Sequence, residues 1–382
     1  MRKAIVIGGT SGVGLSLAVN LLKRGYEKII LVGKEMPSDS NVVDDKRLEF
    51  IITNLLNCDL SFLDKVDKEF DTLIIACGFG RVALFEDLLE AEVQNLIKVN
   101  YLIIAMILHR LYDRIKSNDD FYTLVMGSIC GHLSSPLFSV YGSSKFGLCS
   151  LVENLNIELS ANGYSNRILD VSPGFLKDTN FYGGKTKLDS LSSLANKILD
   201  KMFLKQELFI PEYDEVYKNV IQRYNADHVA FGLDSYSYKR KSGRISQSPQ
   251  LIVGYLSGTF DLFHIGHLNL LKRAKQQCDY LIVGVHESGA WKGKETFIPF
   301  EERVEILKSI KYVDEVHKSL TEDSDAWNIY HFDKLFVGDD YKGSKRFLKY
   351  EQFFRDKGVE IVYFPYTKGT SSTQLREKLM KK

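Results

Sequence analysis

Three side chains in the first half of this sequence have the types and spacing of a proton-transfer set. Ser128 stands at the end of the apolar run "LVMGSICG", Tyr141 follows thirteen residues later in "SVYGSSKFG", and Lys145 lies four beyond it. Positions i and i+4 share a helix face, so the Lys145 ammonium can sit beside the Tyr141 phenol. A free tyrosine titrates at about 10, and a neighbouring cation favours the phenolate. The pair would give a general acid/base usable near neutral pH. Ser128 would hydrogen-bond a carbonyl oxygen as negative charge develops on it. A lone Tyr-x-x-x-Lys is usually an ordinary surface helix. Here it is joined by Gly8, Gly12 and Gly14, with Thr10 and Ser11 among them, directly after "AIVI". Such glycines let the backbone turn sharply and approach a pyrophosphate, and the helix that follows offers free amides and its positive dipole end. A glycine-rich turn after a strand can also be a turn and nothing more.

A second set lies in "GTFDLFHIGH", from Gly258 to His267, where His264 and His267 flank Gly266. Two imidazoles at a helix N-terminus can donate hydrogen bonds to phosphate oxygens, and Gly266 lets the backbone come close. A metal would need further ligands, and no third histidine stands at useful spacing, so no metal held directly by protein ligands is expected. Structural histidines are common; the preceding Gly258, Thr259 and Phe260 strengthen the nucleotide reading.

Both sets need strands to carry them. Seven short apolar runs separated by helical patterns fill the first 230 residues: "KAIVIGG", "KIILVGK", "LEFIIT", "TLIIACG", "FYTLVMGS", "RILDVSPG" and "ELFIPE". Four more follow later: "LIVGYLSG", "YLIVGVHE", "KLFVGDD" and "VEIVYFPY". The pattern predicts an α/β protein with two doubly wound, Rossmann-like parallel sheets in tandem. The first domain is expected over 1–233 and the second over 251–382. Between them "DSYSYKRKSGRISQSPQ", 234–250, is polar and basic and reads as a flexible linker.

A formal charge of +1 gives no whole-protein field, which disfavours nucleic acid or an anionic membrane as partner. Cys58, Cys77, Cys130, Cys149 and Cys278 form no Cys-x-x-Cys pair and read as thiols of a reducing compartment. The chain enters a strand at once and no apolar run reads as long enough to span a bilayer, so a cytoplasmic protein is expected.

Residues 1 to about 230 resemble the short-chain dehydrogenase/reductases. The resemblance gives Ser128, Tyr141 and Lys145 the catalytic roles and makes Asn100, in "LIKVNYLI", the residue that holds a relay water. Pro173 and Gly174 would lie beside the nicotinamide, Thr179 would bind its carboxamide, and Asn54 joins the cofactor-binding residues. One departure is "IACG" (Ile75 to Gly78) in place of Asn-Asn-Ala-Gly, which questions the bracing of that loop. The second strand ends in Gly33 and Lys34 where an NAD enzyme usually carries an acid. A cation there suits a 2′-phosphate, hence NADPH, with NADH still open and a solvated lysine as the plainer alternative.

The stretch Leu251 to Leu379 resembles the cytidylyltransferase branch of the HxGH nucleotidyltransferases, glycerol-3-phosphate cytidylyltransferases above all. The matching pieces are "GTFDLFHIGH", "KGK", "PFEER", "KYVDEV", "VGDDY" and "KGTSSTQLREKL". The resemblance implies that His264 and His267 stabilise the α-phosphorus and that Lys292, Lys294 and Arg303 neutralise phosphate oxygens. Ser371 and Ser372 would contact the β- and γ-phosphates, and Gly338, Asp339 and Asp340 would lie near the base. Tyr366 stands where arginine is common, and Lys368 would compensate. Mg²⁺ is expected with the triphosphate.

The two resemblances together imply reduction of a ketose phosphate to an alditol phosphate, pentitols favoured, followed by its coupling to CTP for cell-surface polysaccharide. A homodimer or larger homo-oligomer is expected. Two alternatives stay open: a single active domain, or a nucleotide-sensing scaffold.

Overall fold

The computed structural model describes residues 2–57, 60–66, 69–179, 181, 186–245, 251–288, 295–365 and 374–376. The chain divides into two compact units, Met1–Pro249 and Gln250–Lys382.

The first unit contains β1 (Lys3–Ile7), β2 (Lys28–Gly33), β3 (Leu48–Ile52), β4 (Thr72–Ile75), β5 (Tyr122–Met126), β6 (Ile168–Val171) and β7 (Leu208–Phe209). They form one sheet in the order β3-β2-β1-β4-β5-β6-β7, with every pair parallel. Strands buried on both faces need apolar residues at every position, which is why they read as continuous runs. On β1, Ile5 and Ile7 enter one core and Ala4 and Val6 the other. The helices around this sheet include α1 (Gly12–Lys23), α2 (Ile103–Arg110), α3 (Ser139–Ala161), α4 (Leu188–Phe203) and α5 (His228–Lys241). Leu15, Leu17 and Leu21 of α1 and Ile198, Leu199 and Met202 of α4 share one core; Ile103, Ile104 and Ile107 of α2 and Leu148 and Val152 of α3 share the other. The strand order reverses between β1 and β4, and a crevice for ligands opens beyond the carboxyl ends at such a point.

The second unit contains β8 (Val253–Gly258), α6 (Ile265–Gln276), β9 (Tyr280–Val285), α7 (Phe300–Lys308), β10 (Glu315–Lys318), β11 (Lys334–Gly338) and β12 (Glu360–Phe364). Its sheet runs β10-β9-β8-β11-β12, again parallel. The reversal falls between β8 and β11, so "GTFD" and "GDD" leave the sheet on either side of it.

Three features depart from the sequence reading. The edge strand β10 is not among the expected runs, because "EVHK" is short, polar and only partly buried. The linker segment begins as helix: α5 runs to Lys241, capped by the Asp227 carboxylate, which accepts from the Val229 and Ala230 N–H groups, and ends on Lys239, Arg240 and Lys241. Both features stabilise an exposed helix that buries no residue fully, so its polarity gives it the look of a linker. Finally, a π-helical turn over Lys98–Leu102 splices a preceding helix to α2, and the resulting Glu90–Arg110 is long and apolar enough to cross a membrane. Ile103, Ile104, Ile107 and Leu108 of this stretch are buried in the core of the unit.

Candidate active sites

In the first unit, Gly8 has φ +77°, and a Cβ there would stand 2.5 Å from the Cys77 backbone nitrogen. A Cβ on Gly14 would run into the Gly8 carbonyl oxygen. The turn is therefore built from close backbone contacts that side chains would forbid. Ser11 occupies the N-cap of α1 but its hydroxyl does not cap the helix. Instead the Gly12 N–H donates to the Thr186 hydroxyl at 2.7 Å. Thr179 is buried close by, its hydroxyl donating to the Leu176 carbonyl at 3.3 Å. Thr10 packs over Gly33, where any Cβ would collide with it, and Lys34 beyond is exposed. Asn54 is buried and accepts from the Leu56 N–H at 3.0 Å, which fixes the turn after β3. A glycine cradle at a helix N-terminus, at the reversal of the sheet, fits the pyrophosphate of a dinucleotide.

The acid/base residues converge beside it. Lys145 is 2% exposed and its ammonium donates to the Met126 carbonyl at 2.8 Å. Burial pushes its pKa down. The ammonium lies 6.0 Å from the centre of the Tyr141 ring. That ring stacks on Phe138 at 4.2 Å, and Gly80 leaves room for it, since a Cβ there would stand 2.6 Å from the Tyr141 ring. The Ser128 hydroxyl accepts from the Cys130 N–H at 3.2 Å. The Ile129 N–H donates to the Pro173 carbonyl at 2.9 Å, which ties the serine loop to the Pro173–Gly174 turn.

Asn100 is fully buried in the π turn. Its amide donates to the Phe79 carbonyl at 2.8 Å and accepts from the Phe79 N–H at 3.0 Å. The side chain thus braces the "IACG" loop. This answers the question raised by the missing asparagines, because bracing comes from Asn100 in the π turn instead of from the loop itself. Asn100 and Lys145 meet around Gly78, whose absent Cβ would lie 3.1 Å from the one and 3.3 Å from the other. Cys77 is inert here, its thiol pushed up to about 11 by burial.

Behind Lys145 lies a polar network with no counterpart in the sequence reading. The Ser172 hydroxyl donates to Asp170 at 2.8 Å and lies 3.0 Å from His132 Nε2 and 3.7 Å from the Cys149 sulfur. His132, Cys149 and Asp170 could together offer three ligand atoms to a metal. The central Ser172 hydroxyl already connects them, and burial pushes the Cys149 thiol up to about 12. Thr186 and Tyr217 also escape a reading of the sequence. Tyr217 places its hydroxyl against Gly174, where a Cβ would collide. Neither residue belongs to a motif, and neither position is marked by spacing.

In the second unit the loop after β8 is strained. Phe260 (φ +53°) and Leu262 (φ +49°) are both left-handed, which side-chain-bearing residues rarely adopt. The strain sets the helix entry: His264 is the N-cap of α6, and its Nδ1 accepts from the Gly266 N–H at 3.0 Å. An accepting Nδ1 puts the ring proton on Nε2, which becomes a donor. His267 stacks on His264 at 4.1 Å and meets Phe260 edge-on at 5.3 Å. Burial, with the neighbouring His264, pushes its pKa down to about 4. Its Nδ1 is buried without a hydrogen-bond partner among the described residues.

Arg303 departs from its expected role. It is 1% exposed, and its guanidinium donates to the carbonyls of Thr259, His286, Glu287 and Ile298. It holds together the loops after β8 and β9 and is a positioning residue rather than a neutraliser of phosphate. Asp261, which carries no expected role, is equally structural. It accepts from the Phe297 and Ile298 N–H groups and pairs with Arg376 at 2.6 Å. Gly258 lies under Phe260, whose ring a Cβ would approach to 2.9 Å. Gly338 opens a turn bearing the exposed Asp339 and Asp340. Lys292, Lys294, Tyr366, Lys368, Ser371 and Ser372 lie outside the described residues.

Comparison with known proteins agrees with this geometry. Residues 255–378 match the cytidylyltransferase-like family and residues 2–187 the short chain dehydrogenase family. The glycerol-3-phosphate cytidylyltransferase of Bacillus subtilis (strain 168) is 39% identical over 126 residues, 32% of this chain and 92% of the relative. The chain belongs to the cytidylyltransferase family, and its first unit matches the short chain dehydrogenase family over residues 2–187. For the dehydrogenase unit, the 3-ketodihydrosphingosine reductase of Bos taurus is 27% identical over 214 residues, 49% of this chain and 61% of the relative. A short chain dehydrogenase from Burkholderia cenocepacia J2315, solved in complex with NADP, shares the fold at TM-score 0.51 and 19% identity, covering 62% of this chain and 99% of that one. The dehydrogenase and cytidylyltransferase are two enzymatic units on one polypeptide.

Proposed function

We propose that the dehydrogenase unit reduces a ketose phosphate to an alditol phosphate, and that the cytidylyltransferase unit couples this product to CTP, giving a CDP-alditol and pyrophosphate. The observation that carries the reading is the pairing of a buried Lys145–Tyr141 set with a His264–His267 phosphate site in one chain. The first turns a carbonyl into an alcohol; the second belongs to a family whose relatives act on an alcohol phosphate. The glycine cradle of Gly8, Gly12 and Gly14 would hold NADPH, which would supply the hydride when bound. Tyr141 delivers the proton to the carbonyl oxygen, Ser128 holds that oxygen, and Lys145 stabilises the deprotonated phenol.

In the cytidylyltransferase unit the phosphate of the alditol attacks the α-phosphorus of CTP in line. Positioning and charge stabilisation carry the rate. The histidines are neutral at neutral pH and so act as N–H donors. With Arg303 committed to backbone carbonyls, charge neutralisation falls to Lys292 and Lys294. Among the described residues of this unit no three metal ligands converge; Mg²⁺ would arrive with the triphosphate. Pentitol phosphates are the favoured skeleton, the setting cytoplasmic, the assembly a homo-oligomer, and the product a precursor of cell-surface polysaccharide.

The test ranks a panel of ketose phosphates in reduction and the matching alditol phosphates in cytidylyl transfer. One skeleton is expected to be best in both; different preferred skeletons would refute the two-step reading.

Cofactor choice is tested at Lys34. Lys34→Asp is expected to shift the ratio of kcat/KM from NADPH toward NADH by about 10-fold or more, since a carboxylate repels a 2′-phosphate and accepts from a 2′-hydroxyl. A wild type that already prefers NADH, or an unchanged ratio, would overturn it.

A further inference from the structure

The basic segment that reads as a linker folds back onto the dehydrogenase unit. Lys239, in the last turn of α5, donates to the Ser135 hydroxyl at 2.6 Å and to the Pro136 carbonyl at 2.8 Å. Both belong to the loop leading into Phe138, the ring stacked on Tyr141. Arg244 lies 5.1 Å above the Phe175 ring and bonds the Tyr238 hydroxyl at 3.3 Å. Phe175 directly follows the Pro173–Gly174 turn. Ile245 then packs into the apolar cluster of Phe138 and Tyr141. Two cations from one short segment therefore hang over the two loops that flank the acid/base set.

Neither cation pairs with a carboxylate among the described residues. Lys239 is half-buried; burial pushes its pKa down, and the Arg244 guanidinium pushes the same way. A half-buried ammonium beside a second cation is unfavourable until an anion joins them. A phosphate dianion would satisfy both through charge-assisted hydrogen bonds, and a guanidinium fork suits its geometry.

We propose that Lys239 and Arg244 form the subsite that holds the phosphate group of the dehydrogenase substrate. This rests on the reading that the substrate is a phosphorylated ketose. The subsite explains how a small, flexible substrate is oriented. Its phosphate is gripped at one end, and the carbonyl at the other is presented to Tyr141 and Ser128.

The experiment uses the full chain and the variants Arg244→Gln and Lys239→Gln. Each variant is expected to raise KM for the ketose phosphate about 10- to 100-fold, the worth of a charged hydrogen bond. In Arg244→Gln, kcat should stay within about threefold, and KM for NADPH and for the same ketose without phosphate should not move. Lys239 also holds the Ser135 loop, so the exposed Arg244 gives the decisive variant. Equal losses on phosphorylated and unphosphorylated ketose, or no loss in Arg244→Gln, overturn the proposal. A second readout needs no turnover: inorganic phosphate should protect Lys239 from acetylation in wild type, scored by peptide mass, and protect it less in Arg244→Gln. If wild type reduces no ketose phosphate yet phosphate protects Lys239, the functional reading falls and the anion subsite stands. Absence of protection removes the subsite itself.

Discussion

Tyr141→Phe is expected to lower the reduction rate about 10²- to 10⁴-fold, the usual contribution of a general acid. Cytidylyl transfer from a supplied alditol phosphate should stay close to wild type. The substitution deletes one oxygen and keeps the ring, so the stack on Phe138 at 4.2 Å and the edge contact to Phe181 at 5.4 Å survive. The unit should therefore fold and bind NADPH as before. The measurement is NADPH oxidation at saturating carbonyl substrate, beside a thermal melt to confirm folding. Reduction near the wild-type rate would mean that another group delivers the proton. Replacing Lys145 is a less clean probe, because its ammonium also holds the Met126 carbonyl at the end of β5. Its loss would disturb the strand that carries Ser128.

Much of this arrangement is legible in the residues, for a physical reason. Strands buried on both faces must be apolar throughout, and a backbone that approaches phosphate must be glycine. Both demands act locally and leave local traces, so all seven strands of the first sheet and both turns stand out. The bracing residues leave no such trace. Arg303 reads as a phosphate ligand because an arginine in a motif has no visible destination; only the fold turns four carbonyls toward it. Asp261 reads as part of a loop because its partner Arg376 lies more than a hundred residues away. Asn100 reads only as a water ligand; that its amide also braces the backbone of Phe79 leaves no local trace. α5 reads as a linker because an exposed helix has no apolar face to announce it; its only signals are the Asp227 cap and a basic last turn.

His267→Asn should cost the cytidylyltransferase unit about 10²- to 10³-fold in rate, the loss expected when one aligned donor to a developing oxyanion is removed. Reduction should be untouched, and pyrophosphate release from CTP is the readout. The same variant tests the charge state of the ring. The His267 pKa lies at about 4 in the folded chain against 6.5 for a free histidine. As pH falls below 6.5 the unfolded chain takes up this proton first, so the folded state loses stability on the way down to about 4. Above 6.5 neither state is protonated and the contribution is complete. Each pH step of one between these two values costs about 1.4 kcal/mol at most, so the loss is on the order of 2 to 3 kcal/mol at the acid end. Wild type should therefore show a melting temperature that falls between pH 6.5 and 4, and His267→Asn a shallower fall. A variant with the wild-type slope would mean that His267 titrates normally. The imidazole would then be cationic on the acid side and could neutralise phosphate charge itself, in place of the neutral donor role that leaves that task to Lys292 and Lys294.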